Sequence, residues 1–376
     1  MRNLVKSTGA LVLGLLVAAA LAELLLRATQ SADDHARRIP PADLAERIYF
    51  VDHPFLPYAG RPFAEYTVFG NDRGVEKQAV AKNNSLGYRT HELPAEKRAG
   101  EYTVVTLGGS TTWGALAPTN GQTWPALLEK KLRERYPERP VRVFNLGTNK
   151  ATIVYSLTAL GLVAAELQPD LVVVYHGFND FGAATAEGYR ADHAHFTQDL
   201  ALDRRWLGLT DALPAILRKS YAAVFFATAV DRAVGVNRLS SYVDRGAEKD
   251  SRILDDDVAT KAALARNWRH ARTVDALARG YGGHALFSTF QYFDGEERNH
   301  RLVNDSLREL FERHELPYVD QDALIEDYDR SLQFDECHFT DEGRELIAEN
   351  FFREIVARGW VGDRAELATD RRDRRP

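Results

Sequence analysis

The chain has very little cysteine and no excess of positive charge. A single cysteine, Cys337, among 376 residues excludes an internal disulfide framework. Lysine and arginine number 48 against 54 acidic residues, and the net charge of −6 argues against nucleic acid as the main partner. Several signatures are missing altogether. There is no phosphate-cradling Gly-x-x-x-x-Gly-Lys, no dinucleotide Gly-x-Gly-x-x-Gly after a strand, and no zinc-binding His-Glu-x-x-His. The nucleophile elbow Gly-x-Ser-x-Gly would need glycine where Thr112 stands, which disfavours an α/β-hydrolase of that type. His193 and His195 are too few to define a metal site and read as exposed loop histidines. Asp255-Asp256-Asp257 reads as the solvated start of a helix. No metal and no organic cofactor is expected.

What is present is a globular chain, 45% hydrophobic, long enough for one large domain with additions. The β-branched run Thr103-Val104-Val105-Thr106-Leu107 predicts a strand that breaks into the turn Gly108-Gly109-Ser110-Thr111. Glycine there permits a sharp turn and leaves the Ser110 hydroxyl uncovered. Far along the chain, Asp335-Glu336-Cys337-His338 places an acid and an imidazole three residues apart. Serine, histidine and aspartate are the parts of nucleophilic acyl transfer. Between them, Val143-Phe144-Asn145-Leu146-Gly147 and Leu171-Val172-Val173-Val174-Tyr175-His176-Gly177-Phe178-Asn179-Asp180 read as two more strand ends. The backbone N–H groups of Ser110 and Gly147 and the Asn179 amide offer donors for an oxyanion. Asp180 reads as structural, and His176 as a base without an orienting acid. Cys337 reads as a neighbour that points away from the site.

This pattern of four separated blocks resembles the SGNH (GDSL-type) hydrolases over about residues 100 to 358. The resemblance implies a three-layer α/β/α, flavodoxin-like fold. It implies Ser110 as nucleophile, with Gly147 and Asn179 as oxyanion donors. It implies His338 as base and Asp335 as its orienting partner. Block I here is Gly-Gly-Ser-Thr in place of Gly-Asp-Ser-Leu, which removes an acidic neighbour and none of the reacting groups. The substrate expected is an ester of a carbohydrate or lipid. Three classes stay open: a hydrolase removing a short acyl group, an O-acyltransferase using the same residues, and a glycan-binding module without catalysis.

The alternation of elements itself predicts a parallel sheet covered on both faces. Strands are expected at 103–107, 141–146, 170–175, 284–290 and 317–319. Helices are expected near 121–136, 152–167, 258–280, 299–314 and 340–357, the last capped by Thr340. Residues 49–100 read as a small β-rich or irregular extension, with a turn at Asn84-Ser85-Leu86-Gly87-Tyr88-Arg89. Residues 101–360 form the hydrolase domain. Within it, 181–257 is an insertion, read as a lid or acyl-binding wall or as a helical cap. Residues 361–376 are a charged tail.

The N-terminus reads as a targeting segment (1–27), followed by a polar linker (28–48). Arg2 and Lys6 precede the uncharged run Gly9 to Ala22, which continues through Glu23 to Leu26. Residues 9–26 are long enough to anchor in a membrane, which takes roughly 17–25 residues. Alternatively, Ala20-Leu21-Ala22 marks a signal-peptidase site and the product is exported. Both readings place the domain outside the cytoplasm, in the cell envelope, because the positive charges come first.

Overall fold

A computed structural model describes residues 2–31, 50–51, 53–72, 75–186, 188–196, 209, 213–214, 216–233, 256–291, 297–325, 330–335 and 337–362. Most of the linker and of the tail, and much of 181–257 including Asp255, lie outside the described residues. The chain divides into two compact units. One comprises Met1–Ile48 and Asp199–Lys249, and the other Tyr49–Gln198 and Asp250–Pro376.

The first unit contains helices α1 (Arg2–Thr29) and α6 (Tyr221–Ala233), the latter preceded by a 3-10 turn at Leu217–Lys219. Among the described residues, no helix is long and apolar enough to cross a membrane.

The second unit begins with two antiparallel pairs, β1 (Phe50–Val51) with β2 (Ala59–Gly60) and β3 (Glu65–Asp72) with β4 (Val75–Lys82). Then come β5 (Tyr102–Gly108), α2 (Ser110–Trp113), α3 (Trp124–Arg135), β6 (Val141–Asn145), α4 (Ile153–Leu167), β7 (Leu171–Tyr175) and α5 (Phe178–Thr185). After Asp256 follow α7 (Asp257–Trp268), α8 (His270–Gly280), β8 (His284–Ser288), α9 (Glu297–Arg313), β9 (Tyr318–Val319), α10 (Gln321–Leu324) and α11 (Asp341–Ala357).

The five long-range strands form one parallel sheet in the order β6-β5-β7-β8-β9. Every residue of β5 and β7 is buried. Successive strand residues face opposite sides, so helices must cover both faces. Helix α3 packs on α11, and α4 on α8. Trp124 is fully buried, stacked 5.0 Å from Phe351 and edge-on to Tyr175 at 6.1 Å, which ties α3 and α11 to the end of β7. Thr340 caps α11 as expected, its hydroxyl accepting the Gly343 N–H. Asp256 likewise caps α7 by accepting the Val258 N–H at 2.8 Å.

The helix expected over 258–280 is two helices meeting at Arg269. The first half packs on α5 and α9, the second on α4 and β8. The bend lets one amphipathic stretch follow two different neighbours, a demand that helical periodicity alone does not register.

In this strand order the chain reverses direction across the sheet between β5 and β7. An open α/β sheet has its crevice at such a switch point, beyond the strand carboxyl ends. Ser110 follows β5 and Asn179 follows β7, so both stand at the rim of that crevice.

Candidate active site

Ser110 opens α2 immediately after β5, with Gly109 as the residue before the helix. Its N–H is among the first-turn groups that have no acceptor within a helix. The Ser110 Oγ lies 2.7 Å from Nε2 of His338. Nδ1 of His338 lies 2.6 Å from Oδ2 of Asp335. The other carboxylate oxygen of Asp335 accepts the backbone N–H groups of Cys337, at 3.0 Å, and His338, at 2.8 Å. One carboxylate therefore shapes the loop and orients the ring. The Thr111 hydroxyl donates to the Cys337 carbonyl at 3.0 Å and so fastens the histidine loop to the helix that carries the serine. The structure brings Ser110, His338 and Asp335 into one hydrogen-bonded line.

Asn179 reaches the same turn. Its Nδ2 donates to the Ala151 carbonyl at 3.1 Å, which leaves the amide a second hydrogen. A Cβ on Gly109 would stand 2.5 Å from that nitrogen, so only glycine lets the amide approach the nucleophile turn this closely. Gly147 is placed differently. Its N–H donates to Oδ1 of Asn145 at 2.9 Å, and the Asn145 amide donates to the Thr112 carbonyl at 2.8 Å. A Cβ on Gly147 would meet the Trp113 nitrogen at 2.4 Å. Gly147 thus admits α2 to close packing, and the donor expected of it is already engaged.

Three further readings of the sequence change. Cys337 is buried, and its sulfur does not point away: it lies 3.9 Å from both nitrogens of His338, against the ring. His193 is buried with Nδ1 2.7 Å from the Thr152 hydroxyl, while His195 contacts the Ala183 carbonyl, so His193 is not an exposed loop residue. His176 does have an orienting acid. Its Nδ1 lies 3.0 Å from Asp180 and its Nε2 2.8 Å from the Ser156 hydroxyl. This second Ser–His–Asp set is sealed, with none of the three more than 3% exposed, and substrate has no path to it. Asp180 also accepts from the Ile153 N–H and the Asn267 amide, which anchors α4 and α7 beside Asn179. Burial opposes its ionisation, but the neighbouring His176 holds its carboxyl below the usual range.

Sequence reading also missed Arg89. Its guanidinium is buried and donates to the carbonyls of Val80, Gly114 and Ala117 and to the Asn120 side chain. It lies 4.9 Å over the Trp113 ring. The turn at 84–89 thereby locks the β3–β4 extension to the end of the serine helix. Burial lowers its pKa to about 10.

Asp335, Cys337 and His338 are the only group among the described residues whose ligand atoms lie close enough together to hold a metal ion. Nδ1 of His338 is committed to Asp335.

The His338 pKa lies well above 6.5. Burial disfavours the imidazolium, but contact with Cys337 and the hydrogen bond and charge of Asp335 outweigh it. A base must be neutral to accept the serine proton, and the neutral fraction is lost as pH falls through a raised pKa. The acid limb of kcat/KM, which reports the free enzyme, is therefore expected above pH 6.5. A pH profile of ester turnover checks this, and a limb at or below that value would contradict it.

Comparison with known proteins places this geometry in a family. No curated protein matches the sequence. Among solved structures, the chain is similar to an alpha/beta hydrolase enzyme from the metagenome of Lake Arreo, at 19% identity over 71% of this chain and 98% of that one, with a TM-score of 0.38. It is similar to the lipase/acylhydrolase of Enterococcus faecalis, at 17% identity over 68% and 96%, TM-score 0.37. It is also similar to a two-domain esterase active on acetylated mannans, at 14% identity over 69% and 51%, TM-score 0.40. Residues 106–346 match the model of the GDSL-like Lipase/Acylhydrolase family, from the strand that delivers Ser110 into the helix that follows His338. The chain therefore belongs to the GDSL-like lipase/acylhydrolase family, an SGNH-type esterase built on a central parallel sheet.

Proposed function

We propose that this protein hydrolyses carboxylic esters through an acyl-Ser110 intermediate, outside the cytoplasm, and removes short acyl groups from an envelope carbohydrate or lipid. The observation that carries the reading is the line Ser110 Oγ, His338 and Asp335, at 2.7 and 2.6 Å. Ser110 Oγ attacks the acyl carbonyl while His338 Nε2 takes its proton. The same nitrogen returns the proton to the departing alcohol. Water then attacks the acyl-serine, with His338 again the base. The N–H of Ser110 and the Asn179 amide meet the oxyanion.

The loop against the nucleophile turn is Thr148-Asn149-Lys150-Ala151, held in place by the Tyr58 hydroxyl bonding the Asn149 carbonyl at 2.8 Å. Its polarity favours a hydroxylated alcohol over an apolar one. The placement outside the cytoplasm rests on Arg2 and Lys6 preceding the apolar run.

A p-nitrophenyl ester series from acetyl to long acyl chains tests the proposal. Turnover fastest on acetyl is expected. A long-chain optimum would overturn the short-acyl assignment. Acylation of Ser110 with little hydrolysis would favour transfer to another hydroxyl, and failure of a fluorophosphonate to phosphonylate Ser110 would overturn catalysis itself.

A further inference from the structure

Among its described residues, the first unit turns acids inward beside the buried Val224 and Ala227 and leaves large apolar side chains exposed. In α1 the inward face carries Glu23, whose carboxylate accepts the N–H groups of Tyr221, at 3.2 Å, and Ala222, at 2.9 Å, and the Ser220 hydroxyl at 2.8 Å. It caps the N-terminus of α6, a segment almost two hundred positions away. Arg27 pairs with Glu23 at 2.6 Å, donates to the Lys219 carbonyl at 2.9 Å, and lies 4.8 Å over the Tyr221 ring. On α6 the acid Asp231 is 2% exposed and accepts the Leu209 N–H at 2.6 Å. The outward faces are apolar: Val17, Leu21, Leu24 and Leu25 on α1, and Phe225 and Phe226 on α6. Ile216, at the turn before α6, is 78% exposed.

A helix pair in water keeps its charges out and its phenylalanines in. Hydrocarbon demands the opposite, with polar groups satisfied internally and apolar side chains outward. We propose that α1 and α6 form a seat for a lipid bilayer, with Leu24, Leu25, Ile216 and Phe226 entering the acyl layer. Arg27, Lys219 and Tyr221 cluster where the two helices join, cations and an aromatic suited to anionic headgroups and the interface. Helix α6 has 13 residues, about 20 Å, against a hydrocarbon core of about 30 Å. It is therefore too short to span the core. Glu23, which interrupts the apolar run in the sequence, is the latch that holds α6 to α1. The inference does not rest on the esterase reading.

The test uses the full chain with Cys337→Ser, reconstituted in phosphatidylcholine vesicles containing phosphatidylglycerol. An environment-sensitive nitrobenzoxadiazole label is attached at Phe226→Cys, or at the largely exposed Ile216→Cys, where loss of packing is small. Both labels are expected to shift to the blue and to lose most of their emission when doxyl lipids are included. A label at Val258→Cys, an exposed position on α7, is expected to keep its emission. Unquenched labels at 226 and 216 would overturn the proposal. So would equal quenching at 258, which would mean unspecific adsorption. A blue shift that needs protein concentration and no lipid would overturn it in favour of a second copy of the chain. Far-UV circular dichroism and p-nitrophenyl acetate turnover of the labelled variants, each measured against the Cys337→Ser parent because Cys337 touches the His338 ring, report folding and catalysis separately.

Discussion

Ser110→Ala is expected to lower kcat on p-nitrophenyl acetate by about 10⁴- to 10⁶-fold and to leave thermal unfolding unchanged. The two halves of that expectation have different origins. The Ser110 hydroxyl has one side-chain partner, Nε2 of His338, and the residue sits partly exposed at the start of a four-residue helix. Alanine keeps the turn and the backbone N–H, so little packing energy is at stake. Catalysis loses the atom that forms the covalent bond. What survives is the rate supplied by oxyanion donors and binding, which is small beside that of the complete set. The labelling experiment is equally sharp: a fluorophosphonate should mark the wild-type chain and not the variant. Turnover within an order of magnitude of wild type would remove Ser110 from the mechanism.

Asp335→Asn is expected to cost about 10⁴-fold in kcat, close to the loss of the serine at its lower end. The geometry explains why so mild a change should weigh so much. The oxygen of Asp335 that accepts the Cys337 and His338 N–H groups can be kept as the amide oxygen of asparagine. The loop should hold. The amide NH₂ then faces Nδ1 of His338, which must become an acceptor, and the ring proton moves to Nε2. A protonated Nε2 cannot take the proton of Ser110. The variant should also lose the negative charge that raises the His338 pKa, so the acid limb of its residual activity should move to lower pH. A variant with near wild-type kcat, or one whose limb does not move, would mean that Asp335 does not orient the base.

Local signals in the sequence carried far. The β-branched runs of β5 and β7 announced buried strands, and Thr340 announced the start of α11, because a strand or a cap is decided by neighbours in the chain. Asp335 and His338 were legible for the same reason: their contact spans three residues. The failures share the opposite property. Arg89 finds its acceptors on residues brought up by folding, and nothing about an arginine after a tyrosine foretells burial. The acid of His176 was in plain view four positions on, at Asp180. Its direction depends on α5 beginning at Phe178, two residues past the histidine, which turns the Asp180 side chain back to within 3.0 Å of the ring. Gly147 has the look of an oxyanion residue because it ends a strand. The amide of Asn145, two residues earlier, takes its donor. Glu23 reads as a flaw in an apolar run until α6 arrives from a distant part of the chain.

The lock made by Arg89 bears on where this enzyme can be cut. The family match begins at Thr106, which invites a minimal catalytic fragment that omits the β3–β4 extension. Such a fragment would lack the one cation that serves the carbonyls of Gly114 and Ala117, just past the serine helix. The Gly114 oxygen would keep the Ala117 N–H, at 3.0 Å, but the Ala117 oxygen would lose its guanidinium donor, and a buried acceptor without a donor costs about 1–3 kcal/mol. Arg89 thus ties this upstream segment to the serine helix. Its guanidinium is buried against that helix, so protein engineering that seeks a smaller esterase should keep Arg89.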